Sequence, residues 1–390
     1  MRTLFTTFKI KRFDFVLLFL ILCLNLIGIA AIGSANASVQ GRQIYGTIAG
    51  IIIMFLTSAI DYKRILKHYW ILYGICVLFL LSVLVFGDSA GGAQRWLVVG
   101  RLRFQPSEAA KILLILFYAQ FIMKYKSRMK SVLFDIFLVL IAMPPLFLIY
   151  KEPDGSTTVM IFVIIAMMMF IGGMNGRFAA GVLIIAIPAV VIFLFMVIQD
   201  GSSLLEGYQR MRILAWLHPE DYATTYAYQT MNSIMAIGSG QLTGKGYNTN
   251  EFNSVLGSGY ISESQTDFIF TVIGEEFGFV GSCTVVLLVT LITIRLIWNA
   301  KECKDLGGCL IAAGMGTWIG LQGFWNIGVT TGVTPNTGLP LPFVSYGLTS
   351  LLCLYFGIGV VMNVRMQNDR RRQASELYLN LSGSAVHHSL

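Results

Sequence analysis

Ten stretches of this chain are apolar for close to the thickness of a lipid bilayer. They cover residues 14–33, 43–60, 69–86, 108–123, 131–150, 156–174, 178–198, 267–298, 307–330 and 346–364. A helix rises 1.5 Å per residue, so about 20 residues cross the ~30 Å hydrocarbon layer. Lipid offers no partner for backbone N–H and C=O groups, so runs of this length span it as α-helices. Charged residues make up 12% of the 390, against about 25% in soluble domains. That is too few to coat a soluble globule, and the hydrophobic share of 56% excludes a disordered chain. The expected fold is an all-α polytopic membrane protein with ten transmembrane helices. The first run follows Lys9, Lys11 and Arg12 and is apolar for 20 positions, long for a signal peptide, and reads as a retained span.

Loop charges orient such a bundle. With the N-terminus inside, nineteen of the 28 Lys and Arg residues fall on inside segments and nine elsewhere. This places both termini in the cytoplasm. The net charge of +8 is then a property of cytoplasmic loops and is no sign of nucleic-acid binding. The segment between spans 7 and 8, about residues 199–266, becomes a large extracytoplasmic loop, and a loop that long is usually functional. It holds an amphipathic stretch near 224–237 and the glycine-rich run Gly238–Gly246. Residues 1–365 read as one ten-helix domain and 366–390 as a polar cytoplasmic tail. No GxxxxGK[ST] motif is present, and no internal repeat suggests a repeat-built transporter. The six cysteines lie in or beside apolar runs and read as free thiols.

Charged groups at bilayer depth are costly, so each is a candidate for function. Four sets stand out. In Gln105–Lys111, Pro106 suits a first helical turn, and Glu108 and Lys111, three apart, share a face and can pair. In Lys151–Thr157, Asp154 is either a cap for the sixth span or part of a site. At the start of the eighth run lie Asp267 and, further on, Gly274-Glu275-Glu276-Phe277-Gly278. On a regular helix the two glycines lie within about 20° of Asp267 and admit a neighbouring helix beneath it. Glu275 and Glu276 lie about 80° and 180° away, so the three acids cannot share a pocket. The eighth run is too long for one straight span and must tilt or project. The fourth set, Thr334–Gly347, has three prolines and contains Ser345. It cannot be helical and reads as a stiff outer or re-entrant loop. All four sets share the outer side with Arg101, Arg210, Arg212 and Lys245. Together they describe a polar cavity opening outward, with acids for proton transfer and cations for an anionic, lipid-tailed substrate.

At these residues the sequence resembles the SEDS family (shape, elongation, division and sporulation), whose members include RodA, FtsW and SpoVE. The matching segments are Arg95-Trp96 with Gln105–Lys111, Glu152-Pro153-Asp154, Ala236–Gly246, Thr266–Glu276 and Thr334–Gly347, which ends in PFVSYG. The short N-terminus and compact loops look closer to RodA than to FtsW. Three positions depart from the family pattern. Gln265 stands where histidine is frequent, Ser156 replaces the glycine of PDxGT, and Leu348 follows Gly347 in place of a second glycine. The first removes a titratable neighbour from Asp267.

The resemblance implies ten membrane helices and a peptidoglycan glycosyltransferase in the bacterial cytoplasmic membrane. Such an enzyme polymerises lipid II on the outer face, beside a class B penicillin-binding protein and other proteins of the elongation or division machinery. It implies that Asp267 is the essential aspartate. Glu108 and Lys111 match cavity residues, and Arg101, Asp154, Arg210, Arg212, Lys245 and Ser345 are expected to line the substrate site. No cofactor is implied with certainty; a divalent cation is compatible, though the sequence shows no ligand cage. Two rival readings use the same cavity: a lipid II flippase or transporter, and a non-catalytic scaffold of the cell-wall synthesis complex.

Overall fold

The structure is a computed structural model that describes residues 13–90, 93–100, 102–198, 207–248 and 261–387. Helices α1 (Phe15–Ala35) and α2 (Ala37–Ala59) form a tight hairpin. Asn36 both ends the first helix and starts the second: its N–H donates to Ile32 and its side chain accepts from the Ser38 N–H. A short α3 (Tyr62–Lys67) leads into α4 (Tyr69–Phe86). Then come three short antiparallel strands, β1 (Asp88–Ala90), β2 (Ala93–Val99) and β3 (Leu102–Phe104), in the order β1-β2-β3. Helices α5 (Pro106–Lys124), α6 (Val132–Lys151), α7 (Gly155–Gly172) and α8 (Gly176–Ile198) follow. After them come α9 (Gly207–Leu217), α10 (Tyr228–Ser239), α11 (Ile269–Glu302), α12 (Leu306–Thr330) and α13 (Leu348–His387).

Each of the ten apolar runs lies mostly in a helix. Among the described residues eight helices, α1, α2, α4, α5, α6, α7, α11 and α13, are long and apolar enough to cross a membrane. This is a multi-pass membrane fold. Side chains such as Phe19, Leu26, Leu78, Phe86, Ile184 and Phe195 are exposed on its flanks, a band of apolar surface that only lipid accommodates. The interior is organised by α5 and the glycine-rich α12. A Cβ at Gly314 of α12 would sit 3.0 Å from the Ile115 side chain and 3.2 Å from the Met168 sulfur, so α5 and α7 both close onto it as small residues permit.

The two ends of the bundle are built differently. At one end, buried Asp14 caps α1 through the Leu17 N–H (3.2 Å). It accepts Arg295 on both oxygens (3.0 Å each), Asn299 (3.0 Å) and Arg365 (3.1 Å). This ties the start of α1, the last turns of α11 and the middle of α13 into one knot. At the other end gather the strands, the α6–α7 turn, the loop after α12 and the segments flanking α10.

The longest helix is not one straight span. Gly278 has φ +63° and ψ −156°, so α11 is broken between residues 277 and 279. The break would strand backbone groups on both sides, and the segment after α10 supplies their partners. Phe279 and Val280 donate to the carbonyls of Gln241 (2.8 Å) and Leu242 (3.1 Å), while Lys245 and Gly246 donate to those of Glu275 (2.9 Å) and Glu276 (3.0 Å). The glycine-rich run is therefore a backbone plug. The expected approach at Gly274 is also present: a Cβ there would lie 2.7 Å from Ile237 of α10. Gly278→Ala is expected to cost at least about 1–3 kcal/mol, because its backbone conformation is almost confined to glycine and Gly240 crowds the position. A clear drop in apparent melting temperature in detergent checks this; an unchanged value contradicts it.

Candidate active site

Asp267 lies just before α11, closely surrounded by protein but with a face still open. Three neighbours fix its backbone. Asn326 of α12 donates one amide bifurcated to the Asp267 carbonyl (2.8 Å) and the Leu339 carbonyl (2.7 Å). Ser345 donates to the carbonyl of Thr266 (2.6 Å), and the Tyr346 N–H donates to that of Gln265 (2.9 Å). The proline-rich loop 334–347 is thus stitched to residues 265–267 along its length. Gly338 lies opposite the carboxylate, where a Cβ would come within 3.2 Å of Asp267 Oδ2. Gly338 has φ +72°, so glycine serves both the turn and the close approach.

Burial pushes the Asp267 carboxyl up, to about 6. Arg212 pulls it back, Glu263 pushes it up, Arg95 again lowers it and Asp154 raises it. These four residues come from four separate segments and define the charged surroundings. Arg212 also donates to the Asn336 carbonyl (3.2 Å). Arg95 of β2 donates to the carbonyls of Glu152 (3.1 Å) and Pro153. Asp154 caps α7 by accepting from the Thr157 N–H (3.1 Å), and Ser156 donates to the Thr337 carbonyl (2.9 Å). Of the two roles left open by the sequence, Asp154 takes the helix cap, and it lies close enough to Asp267 to raise its carboxyl. Glu152 beside it is fully buried. Burial first, and then Asp154, raise its carboxyl to about 8 against the pull of Arg95.

Lys111 sits below this layer. Its Nζ donates to Glu108 Oε1 (2.6 Å) and Gln322 Oε1 (2.9 Å) and lies 4.9 Å from the Trp318 ring centre. Gln322 in turn donates to the Pro340 carbonyl (2.7 Å). Gln322 and Asn326 are one turn apart on α12, so a single helix face links Lys111 and Asp267 through the same loop. Lys245 pairs with Glu275 (2.8 Å), and Glu276 accepts from Ser34; the three acids of this region do point to different partners. Arg210 donates to the Val197 carbonyl at the end of α8 (3.1 Å). Arg101 lies outside the described residues. Among the described residues no group of three or more His, Cys, Asp and Glu side chains is placed to hold a metal ion.

The sequence reading missed Arg95, Glu152, Glu263, Gln322 and Asn326 as site residues. Gln322 and Asn326 carried a signal: two amides at i, i+4 inside an apolar run.

The family model described as "Cell cycle protein", built on FtsW, RodA and SpoVE, matches residues 4–370. The chain belongs to this family. Among SEDS relatives, peptidoglycan glycosyltransferase MrdB of Escherichia coli (strain K12) is 34% identical over 354 residues, which cover 90% of this chain and 93% of that protein. A probable peptidoglycan glycosyltransferase FtsW of Geobacter metallireducens is 31% identical, covering 91% and 95%. Two solved SEDS-like structures superpose well. A chain from a study of polymerization and crosslinking by a peptidoglycan synthase complex gives a TM-score of 0.76 at 28% identity, covering 91% of this chain and 98% of that one. The rod shape determining protein RodA of Thermus thermophilus gives 0.65 at 26%, covering 91% and 97%.

The buried Lys111–Glu108 pair makes a prediction in this SEDS fold. Removing one partner of a buried pair costs about 3–5 kcal/mol, whereas replacing both by apolar groups is often neutral. Lys111→Met should lower the apparent melting temperature sharply, and adding Glu108→Leu should restore most of it. Equal melting temperatures for the single and double variants would contradict this energetic picture.

Proposed function

We propose that this chain is a peptidoglycan glycosyltransferase of the bacterial cytoplasmic membrane. It polymerises lipid II on the outer face, with Asp267 as the base and a class B penicillin-binding protein as transpeptidase partner. The reading takes ten transmembrane helices in one domain over residues 1–365. Both termini, with the segment 366–390, lie in the cytoplasm, and the Asp267 end of the bundle faces outward. It is supported by the names of the relatives and by loop charge. The observation that carries it is the partly exposed Asp267, opposite Gly338, with Arg212, Arg95, Glu263 and Asp154 around a carboxyl that burial raises to about 6, at the end of a membrane bundle.

Lipid II carries an α-linked sugar on a diphosphate, and the glycan is β-linked, so the transfer inverts configuration in one displacement. Asp267 takes the proton from the acceptor's 4-hydroxyl, within about 2.6–3.2 Å of that oxygen or through one water. A pKa near the working pH lets the carboxylate be both present and basic. Arg212 and Arg95, the cations that bear on Asp267, offset charge developing on the diphosphate. Lys111 is enclosed; it adds positive potential from beneath and fixes the loop through Gln322 and Pro340. Asp154 and Ser345 hold the two walls in place, and the raised carboxyl of Glu152 weakens a second negative charge near the base.

Labelled lipid II, presented to the purified protein with and without its class B partner, tests this directly. Wild type is expected to make polymer, and Asp267→Asn is expected to lose at least about 10²-fold of that rate, as for loss of a general base, while still inserting and folding. Wild-type rates in the variant would overturn the assignment. Wild type that binds lipid II without polymerising it would favour transport or scaffolding.

A further inference from the structure

The polar side chains within α1 and α2 have no part in the chemistry above, yet they reach its loop. Asn25, Gln43 and Thr47 are all buried in otherwise apolar helices. The Asn25 amide donates to the Phe343 carbonyl (3.0 Å). The Thr47 hydroxyl lies 2.9 Å from the Asn25 carboxamide oxygen and 2.9 Å from the Gln43 carbonyl; sharing its one proton between them, it favours the orientation in which the Asn25 oxygen faces Thr47 and the Asn25 N–H faces Phe343. Gln43, one turn away, donates to the Ser345 carbonyl (3.4 Å). Gly28, one turn from Asn25 on α1, leaves the space that Val344 fills: a Cβ there would lie 2.7 Å from the Val344 backbone. The segment 343–345 therefore enters the bundle between α1, α2 and α13. Asn25 lies ten residues from the end of α1 at Ala35, about 15 Å along the helix.

Phe343 has φ +63°, a conformation a bulky side chain keeps only where its surroundings hold it. Its carbonyl is held by Asn25, and its ring packs edge-on against Tyr355 at 5.3 Å. Two residues later the same turn presents the Ser345 hydroxyl. That hydroxyl accepts from the Leu341 N–H (2.7 Å) and donates to Thr266. The Tyr346 N–H then holds Gln265. The two residues before Asp267 thus hang from a turn whose strained carbonyl is anchored in α1.

Resting on the reading of Asp267 as the base, we infer that Asn25, oriented by Thr47, is a positioning residue for it. It acts through Phe343, Ser345 and Thr266. Without Asn25 the Phe343 carbonyl has no donor among the described residues, and the turn relaxes toward an ordinary backbone conformation. The carboxylate then shifts while the cations that take up the diphosphate stay in place. The effect falls on turnover, not on substrate binding.

Three variants test this. Asn25→Leu keeps the side chain's size and suits a membrane helix. Thr47→Val removes only the hydroxyl, and Thr47→Ser keeps it. Lipid II polymerisation kinetics and amide hydrogen exchange are measured on the full-length protein with its class B partner. A misplacement of about 1 Å costs up to about 10²-fold in rate. Asn25→Leu is therefore expected to lose about 10- to 100-fold in kcat with KM within about twofold. Exchange should rise selectively in peptides over 339–347 and 263–268. Thr47→Val should lose less, in the same direction, and Thr47→Ser should match wild type. Unchanged kcat and exchange in Asn25→Leu would overturn the inference and leave the proposed function standing. So would a loss in which kcat, KM and protection across the whole chain change together, or one that Thr47→Ser shares with Thr47→Val. A wild type that turns over nothing would instead remove the proposed function, and this inference with it.

Discussion

Inside a bilayer every backbone N–H and C=O must find a partner within the protein. This fold breaks regular helix at two places near its site, and in both the broken backbone is covered by another segment. At Gly278 the partner is the glycine-rich run after α10, which gives two acceptors and two donors to the interrupted helix. At 334–347 the partners are amides from α1, α2 and α12 and the segment 265–267. The loop 334–347 meets Asp267, and the break at Gly278 lies further along the helix that begins just after it. The Asp267 carboxylate belongs to neither a regular helix nor a free loop, and its position is set by whatever satisfies the backbone around it.

The same economy governs the charges. Lys111 and Asp14 are both buried, and each is paired and hydrogen-bonded to more than one partner. Asp14 joins three helices at the end away from the site. Lys111 joins two, α5 and α12, one turn along α12 from the Asn326 that holds the Asp267 backbone, and its bond to Gln322 also supports the loop at Pro340. A buried ion pair is weak evidence for stability. Its placement beneath the polar layer, coupled by Gln322 to Pro340, is the better argument that Lys111 serves the site.

The sequence made the membrane class, the helical runs and the site loop legible, because apolar length and triple proline are strong local signals. Asp267, Lys111 and Glu108 were legible because charge in an apolar run is rare. The break at Gly278 was hidden: the length of the run shows that it is not one straight span, but hydropathy does not say where it breaks. The three strands between α4 and α5 were hidden too, being short. Asn25, Gln43, Gln322 and Asn326 escaped notice because a single amide barely changes the hydropathy of twenty residues. Their importance comes from long-range contacts, 18 to 318 residues away for Gln322 and Asn25, that no local pattern encodes. Arg95 stood within a recognised motif, but its hold on the Glu152-Pro153 turn needed the fold.

The central claim is that Asp267 is the base and that its surroundings raise its carboxyl to about 6. The most direct measurement is the pH dependence of single-turnover polymerisation by the wild-type protein with its partner at saturating lipid II. A base works only unprotonated, so the rate should be level above about pH 7 and fall about tenfold per unit below about 6. A rate that stays level through that range, or falls as the pH rises through it, would contradict the account.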